Sequence, residues 1–267
     1  MLRKYLLPCL FLLPSIGQSH EFWIEPFAWQ IAPDEVLQAH IRVGENMKGA
    51  ALSYFPKNTK RFEVVTPQGQ YKVGGSIGDR PVLRGTARDT GLYVIIYVTG
   101  SDILTYSEEE KFIDFVEHKD LDDTLEVHAE RGLPKVGFDE KFSRYAKSLV
   151  SVGDGKGQDR VFGLLTEITA LANPYTADLS EGLPVQLTYR GQPRTDAQIE
   201  IYERDAEQQV SVRTVRTDET GKAVIDVKPG HDYMLDAVVM RPIEPEKEGD
   251  AVWESLWANL TFQVPQE

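Results

Sequence analysis

The sequence predicts an all-β protein made of two β-sandwich domains, with a short helical insertion in the first. From Val36 to Val43, apolar residues alternate with polar ones, which is the period of a half-buried strand. Residues 91–98 form a nearly continuous apolar run, as expected of a central strand. Beyond residue 157, short β-rich runs are separated by turn signals at the spacing typical of sandwiches.

Residues 1–19 have the composition of a secretory signal peptide. A basic start precedes an apolar run that ends near Ile16, and this run is well short of the roughly 20 residues that span a bilayer. The small residues Gly17 and Ser19 predict cleavage between Ser19 and His20. We therefore expect a periplasmic protein that begins with histidine and does not insert into a membrane after cleavage.

Charge and cysteine content exclude several function classes. The formal net charge is −13, and so acidic a surface repels nucleic acid and anionic lipid. It is suited to concentrating metal cations, although it also serves simply to keep an exported protein soluble. The single cysteine, Cys9, lies in the predicted signal peptide. The mature chain therefore has no disulfide, thiolate metal site or cysteine nucleophile.

The first predicted domain covers residues 20–157 and contains a hairpin. Apolar runs flank T-P-Q-G-Q within residues 61–73. Pro67 presets a turn there and Gly69 can adopt positive φ, so the segment is typical of two antiparallel strands. Residues 142–152 again alternate and predict a further strand.

A helical insertion interrupts this domain at about residues 107–132. Ser107 and Glu110 have the spacing of a capping box, and Phe112, Phe115 and Val116 follow at helical intervals. A second helical pattern carries Leu121, Leu125 and His128 on one face and ends at Gly132. The sequence thus predicts two short helices within a strand-rich domain.

The predicted domain boundary lies at the glycine-rich stretch G-D-G-K-G, residues 153–157, which is typical of a linker. The second domain, residues 158–267, contains six short β-rich runs. They cover residues 184–189, 197–202, 210–215, 223–227, 233–240 and 253–264.

A histidine at the mature terminus is the candidate metal ligand that the sequence indicates most directly. The free α-amine and the ring Nδ1 of His20 can close a chelate ring on Cu, Ni or Zn. The apolar, strand-like residues that follow, Phe22 to Ile24, are expected to pin this terminus to the sandwich. The alternative is that His20 simply frays in solvent where processing ends.

The other histidines show no short-range ligand spacing, so a metal site would be assembled from distant segments. Helix-terminal or exposed positions are the default interpretation for His118 and His128, and a polar turn for His231. His40 falls on the polar side of its strand. Further metal ligands are expected among these four or from carboxylates: His40, His118, His128 and His231.

Five stretches spread over both predicted domains are distinctive: H-E-F-W-I-E-P at 20–26, R-V-G-E at 42–45, F-S-R-Y-A-K-S-L-V at 142–150, T-D-E-T-G at 217–221 and W-E-S-L-W-A-N-L-T-F at 253–262. With these stretches the chain resembles a family of bacterial periplasmic proteins, DUF4198, whose relatives are often labelled as NikM-like periplasmic components of nickel or cobalt uptake. The second half also resembles prealbumin-like and collagen-adhesin B-type (Cna-B-like) sandwiches. The stretch 237–240, A-V-V-M, lacks the histidine that relatives often carry there.

The resemblance implies a β-sandwich architecture, periplasmic residence and a role in transition-metal uptake, with His20 as the transferable ligand. We expect a protein that binds divalent Ni or Co, or else Cu or Zn, and passes it to an inner-membrane or outer-membrane transporter. No nucleophile elbow, P-loop or dinucleotide fingerprint is present, and we predict that the protein is not an enzyme.

Two alternatives stay open at this point. The first is an interaction or carbohydrate-binding module that uses a tryptophan face. The second is an oxidative copper enzyme with a histidine brace, which requires a second histidine close to His20.

Overall fold

The structure, a computed structural model, describes residues 20–121 and 123–266, and it confirms the all-β, sandwich-like fold. The predicted signal peptide, residues 1–19, lies outside the described residues. Among the described residues there are two short α-helices, α1 (Glu109–His118) and α2 (Thr124–Glu130), and one 3-10 turn, Pro56–Asn58. Within the described ranges neither has the length and apolar run that a membrane crossing requires. The strands are β1 (Glu21–Pro26), β2 (Gln30–Ile31), β3 (Val36–Glu45), β4 (Lys48–Leu52), β5 (Thr59–Thr66), β6 (Gly69–Lys72), β7 (Leu83–Thr86), β8 (Gly91–Thr99), β9 (Asp102–Tyr106), β10 (Phe138–Val152), β11 (Thr166–Ala170), β12 (Leu183–Tyr189), β13 (Gln192–Pro193), β14 (Gln198–Arg204), β15 (Val210–Arg216), β16 (Lys222–Ile225), β17 (Asp232–Pro242) and β18 (Trp253–Gln263).

One ten-stranded sheet runs through both halves of the chain, in the order β15-β14-β17-β18-β10-β8-β5-β6 with β2 and β9 beside β10. Strand β10 joins the halves because it pairs in parallel with β18 and then antiparallel with β8. The predicted boundary at residues 153–157 therefore follows a strand that both halves share.

Two apolar cores lie on opposite faces of this sheet. In the first half, the small sheet of β1, β3, β4 and β7 packs on β5, β8 and the end of β10, around Ile24, Ile41 and Ile95. In the second half, β11, β12, β13 and β16 pack on β14, β17 and β18, around Leu187 and Leu260. Each half thus packs on its own face of the common sheet, and the second core also continues beneath β5 and β8 through Val65, Val94 and Ile96.

The helices and β1 cover the outer face of the second half of the sheet. Phe112 and Val116 of α1 pack with Trp253 and Trp257 of β18, while the Thr261 hydroxyl donates to the carbonyl of Ile24 in β1 at 2.8 Å. Polar residues on this outer face are therefore buried beneath the helical insertion and the N-terminal strand.

Most local predictions are confirmed. The turn of the predicted hairpin joins β5 to β6, and β8 is a buried strand between β5 and β10. The predicted capping box is wrong: α1 begins at Glu109, its N-cap is Glu108, and no side chain caps it. The glycine-rich stretch is a closely packed turn, since Gly155 has a φ of +61° and an added Cβ would lie 2.3 Å from the Ser151 hydroxyl.

A candidate ligand-binding pocket at the N-terminal strand

A pocket of about 960 Å³ opens beside the start of β1. It lies between β1, the β3–β4 turn, β9, α1, strand β14 and the edge strand β15. Its walls are acidic with an apolar part formed by Leu104, Phe115 and Val212, and two of its lining residues are lysines, Lys111 and Lys119. The acidic residues that line it are Glu21, Glu45, Glu108, Glu110, Asp114 and Glu117.

His20 stands beside the rim of this pocket. Its Nδ1 lies 3.2 Å from Oε1 of Glu45, yet it makes no hydrogen bond with the residues that the structure describes. The two side chains are 38% and 51% exposed. The Arg144 guanidinium donates to the His20 carbonyl at 3.2 Å, so the backbone of this residue is held against β10.

The floor of the pocket is a buried ionic network around Lys119, which follows α1 directly. Its ammonium donates to Glu200 of β14 and, at 3.2 Å, to Asp236 of β17. The same nitrogen lies 4.8 Å from the centre of the Trp257 ring. Glu200 and Asp236 are direct partners in the β14–β17 register. The single ammonium group of Lys119 therefore contacts the carboxyl groups of two neighbouring strands.

Glu21 of β1 extends this network towards the pocket. The Tyr202 hydroxyl lies 3.0 Å from Oε1 of Glu21 and 2.9 Å from Oε2 of Glu200, and its single proton can be donated to either. The other oxygen of Glu21, Oε2, is buried and accepts no hydrogen bond from the described residues. Glu21 is therefore a buried carboxyl group with a spare acceptor.

Burial and neighbouring charges set the pKa values of this network. Burial raises the pKa of Glu21 to about 7, although the Lys119 ammonium opposes this shift. Burial also raises the pKa of Asp236. Burial acts in the same direction on Glu200, but the hydrogen bond from His118 and the charge of Lys119 outweigh it and leave the pKa of Glu200 below its usual value. Burial thus favours the protonated form of Glu21, whereas His118 and Lys119 favour the charged form of Glu200.

His118 is the second predicted ligand that the structure brings to this pocket. It ends α1, and its Nε2 lies 2.8 Å from Oε1 of Glu200. This hydrogen bond raises the pKa of His118 although burial opposes it. His118 is thus tied to the floor network through Glu200.

His128 lies in the last turn of α2, as expected of a helix-terminal residue, but it is buried and not exposed. The indole nitrogen of Trp253 donates to its Nδ1 at 3.0 Å, so Nε2 carries the proton that the Pro134 carbonyl accepts at 3.0 Å. Because both ring nitrogens take part in hydrogen bonds, a metal could bind here only by displacing one of them.

His40 and His231 lie away from the pocket. His40 pairs with Glu25 in the β1–β3 register, whereas Glu21 pairs with Gly44, so His20 and His40 are separated by about 17 Å of strand. The ring of His40 packs on Phe27, with centroids 4.9 Å apart. His231 Nδ1 is 2.9 Å from Oε1 of Glu203. The structure therefore assembles two of the five predicted histidines and leaves three elsewhere.

Side chains alone do not complete a metal site. Across residues 20–121 and 123–266, no group of three or more His, Cys, Asp or Glu side chains is placed to hold a metal ion. The four tryptophans considered for sugar stacking, Trp23, Trp29, Trp253 and Trp257, are buried and present no stacking surface.

The floor network is the feature that sequence reasoning missed. Its strand residues, Glu200 and Asp236, are charged positions within apolar stretches, I-E-I-Y at 199–202 and M-L-D-A at 234–237. Buried charge is rare unless it is paired, so such an interruption is a usable signal. Lys119 has no comparable signal, because it follows a polar helix end.

The chain matches the family described as "Domain of unknown function (DUF4198)" over residues 17–241. The protein belongs to the DUF4198 family. This match includes β1, the rim pair His20 and Glu45, and the floor residues up to Asp236. No curated protein matches the DUF4198 chain in sequence.

Similar solved structures include Salmonella alpha-2-macroglobulin reacted with methylamine, with 13% identity and a TM-score of 0.25 over 93% of this chain and 15% of that one. The D0–D1 domain of intimin is similar at 13% identity and a TM-score of 0.20, over 90% of this chain and 97% of that one. The DUF4198 chain thus spans a small part of the macroglobulin, and at these TM-scores the likenesses carry no argument about its function.

Proposed function

We propose that this protein is a periplasmic carrier that binds a divalent transition-metal ion, Ni, Co, Cu or Zn, through His20 for uptake or delivery. The 3.2 Å between Nδ1 of His20 and Oε1 of Glu45 is the observation that supports it. Two donors about 2.1 Å from one metal ion, at angles of 90° to 110°, stand about 3.0–3.4 Å apart. The pair thus has the spacing of two neighbouring ligands, without a hydrogen bond between them.

The α-amine of a mature His20 would supply a third donor. It closes a chelate ring with Nδ1 on the same ion. Since the described side chains contain no complete group of three donors, metal affinity in this proposal depends on cleavage before His20. Six carboxylic side chains against two lysines around the pocket favour the approach of cations.

A site close to the surface suits a cargo that must leave again. Nδ1 of His20 is itself buried, but both side chains are more than a third exposed, so an acceptor, such as an inner-membrane or outer-membrane transporter, can reach the rim. Intermediate affinity and ready exchange are the expected properties of such a site, in contrast to those of a closed structural metal site.

An added N-terminal residue tests the chelate. Protein beginning at His20 is titrated calorimetrically with Ni, Co, Cu and Zn salts, next to protein with one alanine before His20. We expect at least about a tenfold loss of affinity with the added alanine, equivalent to about 1.4 kcal/mol. Glu45→Gln should weaken binding in the same direction, because a carboxylate donor is lost.

His231→Ala is the matched control, since it removes a histidine away from the pocket and should leave affinity unchanged. Equal affinity of the two N-terminal forms would rule out the terminal chelate. A mature terminus other than His20 in mass spectrometry of the exported protein would also contradict it.

A further inference from the structure

The pocket beside β1 is much larger than a metal ion at its rim requires. Its volume of about 960 Å³ is that of a small-molecule site. Leu104, Phe115 and Val212 form an apolar wall, and Glu21 lies at its floor. An apolar wall beside a single buried acceptor is the usual composition of a site for a small organic ligand.

Glu21 is the group at the floor with capacity for a ligand. The residue is 7% exposed, its Oε1 is within hydrogen-bond distance of Tyr202, and its Oε2 accepts no hydrogen bond within the described ranges. A buried acceptor without a partner is destabilising, because it has lost its hydrogen bonds to water. A ligand that donates a hydrogen bond to Oε2 would remove this cost.

The floor of the pocket already accommodates one ammonium group, that of Lys119. The Lys119 ammonium is held there by carboxylates and by the face of Trp257, a combination that favours organic cations. The carboxylates of Glu200 and Asp236 are occupied by Lys119, His118 and Asn259. The described side chains also contain no group of three donors that could hold a metal ion at the floor. The spare oxygen of Glu21 is therefore suited to a single N–H donor.

A second cluster of negative charge faces the same pocket from α1. Glu110, Asp114 and Glu117 follow the i, i+4, i+7 pattern of one helix face, and all three are exposed and line the pocket. The two lysines of the pocket do not neutralise them, because Lys111 pairs with Glu108 and Lys119 with the floor. These acids provide a place for a second positive charge at the pocket mouth.

We propose that the pocket binds a small organic diamine. One ammonium group donates to Oε2 of Glu21, the carbon chain lies on Leu104, Phe115 and Val212, and the second ammonium meets the acidic face of α1. This ligand class goes beyond the metal cargo proposed above, and its binding requires neither His20 nor cleavage of the chain.

Calorimetric titration with three probes of similar length tests the proposal: 1,4-diaminobutane, n-butylamine and 1-butanol. We expect the diamine to bind best, the monoamine several-fold more weakly, and the alcohol not saturably. Glu21→Gln keeps the shape of the side chain and should weaken both amines at least about tenfold, because the charged acceptor is lost.

The triple variant Glu110→Gln, Asp114→Asn, Glu117→Gln changes exposed positions and so leaves folding intact. It should reduce diamine affinity to that of the monoamine and leave the monoamine within about threefold. Glu181→Gln, at an exposed position away from the pocket, removes one charge as Glu21→Gln does, and it is the control for that single variant.

His20→Ala separates the two proposals, because it should abolish the metal chelate and leave diamine affinity unchanged. Thermal melts confirm that each variant is folded. The diamine site is rejected if no amine binds saturably, if 1-butanol binds as well as n-butylamine, or if folded Glu21→Gln retains wild-type amine affinity.

Discussion

Replacement of Lys147 by methionine is expected to lower the free energy of unfolding by about 3–5 kcal/mol. Lys147 lies on β10 and is 1% exposed. Its ammonium donates to both carboxylate oxygens of Asp159, at 2.9 and 2.8 Å, and to Glu167 at 3.1 Å. Methionine fills a similar volume but removes the charge, so two buried carboxylates lose their counter-ion.

The loss should be large because these carboxylates also anchor the backbone between β10 and β11. Asp159 accepts hydrogen bonds from the amides of Arg160 and Ala170, and Glu167 accepts from those of Phe162 and Leu164. Removal of Lys147 thus breaks two buried ion pairs and also loosens the connection between β10 and β11.

Urea unfolding followed by tryptophan fluorescence measures the effect. The matched control is Lys156→Met, because Lys156 is a 79% exposed side chain paired with Asp154 on the surface, and its loss should cost less than about 0.5 kcal/mol. Adding Asp159→Asn and Glu167→Gln to Lys147→Met should recover part of the stability, since neutral amides need no counter-ion. Equal losses for the two lysine variants would show that the buried network contributes little.

The strands were predictable from sequence because each depends on local alternation and turn chemistry. Residues 36–43 and 61–73 carry those signals within a few positions and form the expected elements. The ten-stranded sheet was not predictable in this way. It depends on the parallel pairing of β10 with β18, as of Ser143 with Leu256, and local periodicity contains no information on which distant strands pair.

The candidate site was predictable only in part for the same reason. A processing signal and a strand-like start indicate His20, and the end of a helix indicates His118. Their common pocket depends on the packing of β1 and α1 on the outer face of the sheet. Apolar surroundings gave Glu200 and Asp236 an unusual local context, but their meeting with Lys119 follows from the β14–β17 register. Nonlocal pairing thus decides which charges share a site.

Glu21→Gln should make the protein more stable than wild type at pH 8, with a pH dependence that identifies the cause. Burial raises the pKa of Glu21 from 4.5 to about 7, so the folded state retains a proton that the unfolded state releases. The wild-type free energy of unfolding therefore falls as pH rises from about 4.5 to about 7 and stays lower above that. This fall in the free energy of unfolding amounts to about 3 kcal/mol.

Glutamine is neutral at every pH. The free energy of unfolding of Glu21→Gln minus that of wild type should therefore increase by about 3 kcal/mol between pH 4 and pH 8. Urea unfolding at each pH measures this difference. Glu200→Gln provides a comparison of opposite sign within the same network. The pKa of Glu200 is lowered in the folded state, so its charge stabilises wild type above pH 4.5, and this advantage is lost as pH falls further. If the stability difference between Glu21→Gln and wild type does not change with pH, the buried carboxyl group already has a compensating partner. The diamine site would then lose the spare acceptor on which it depends.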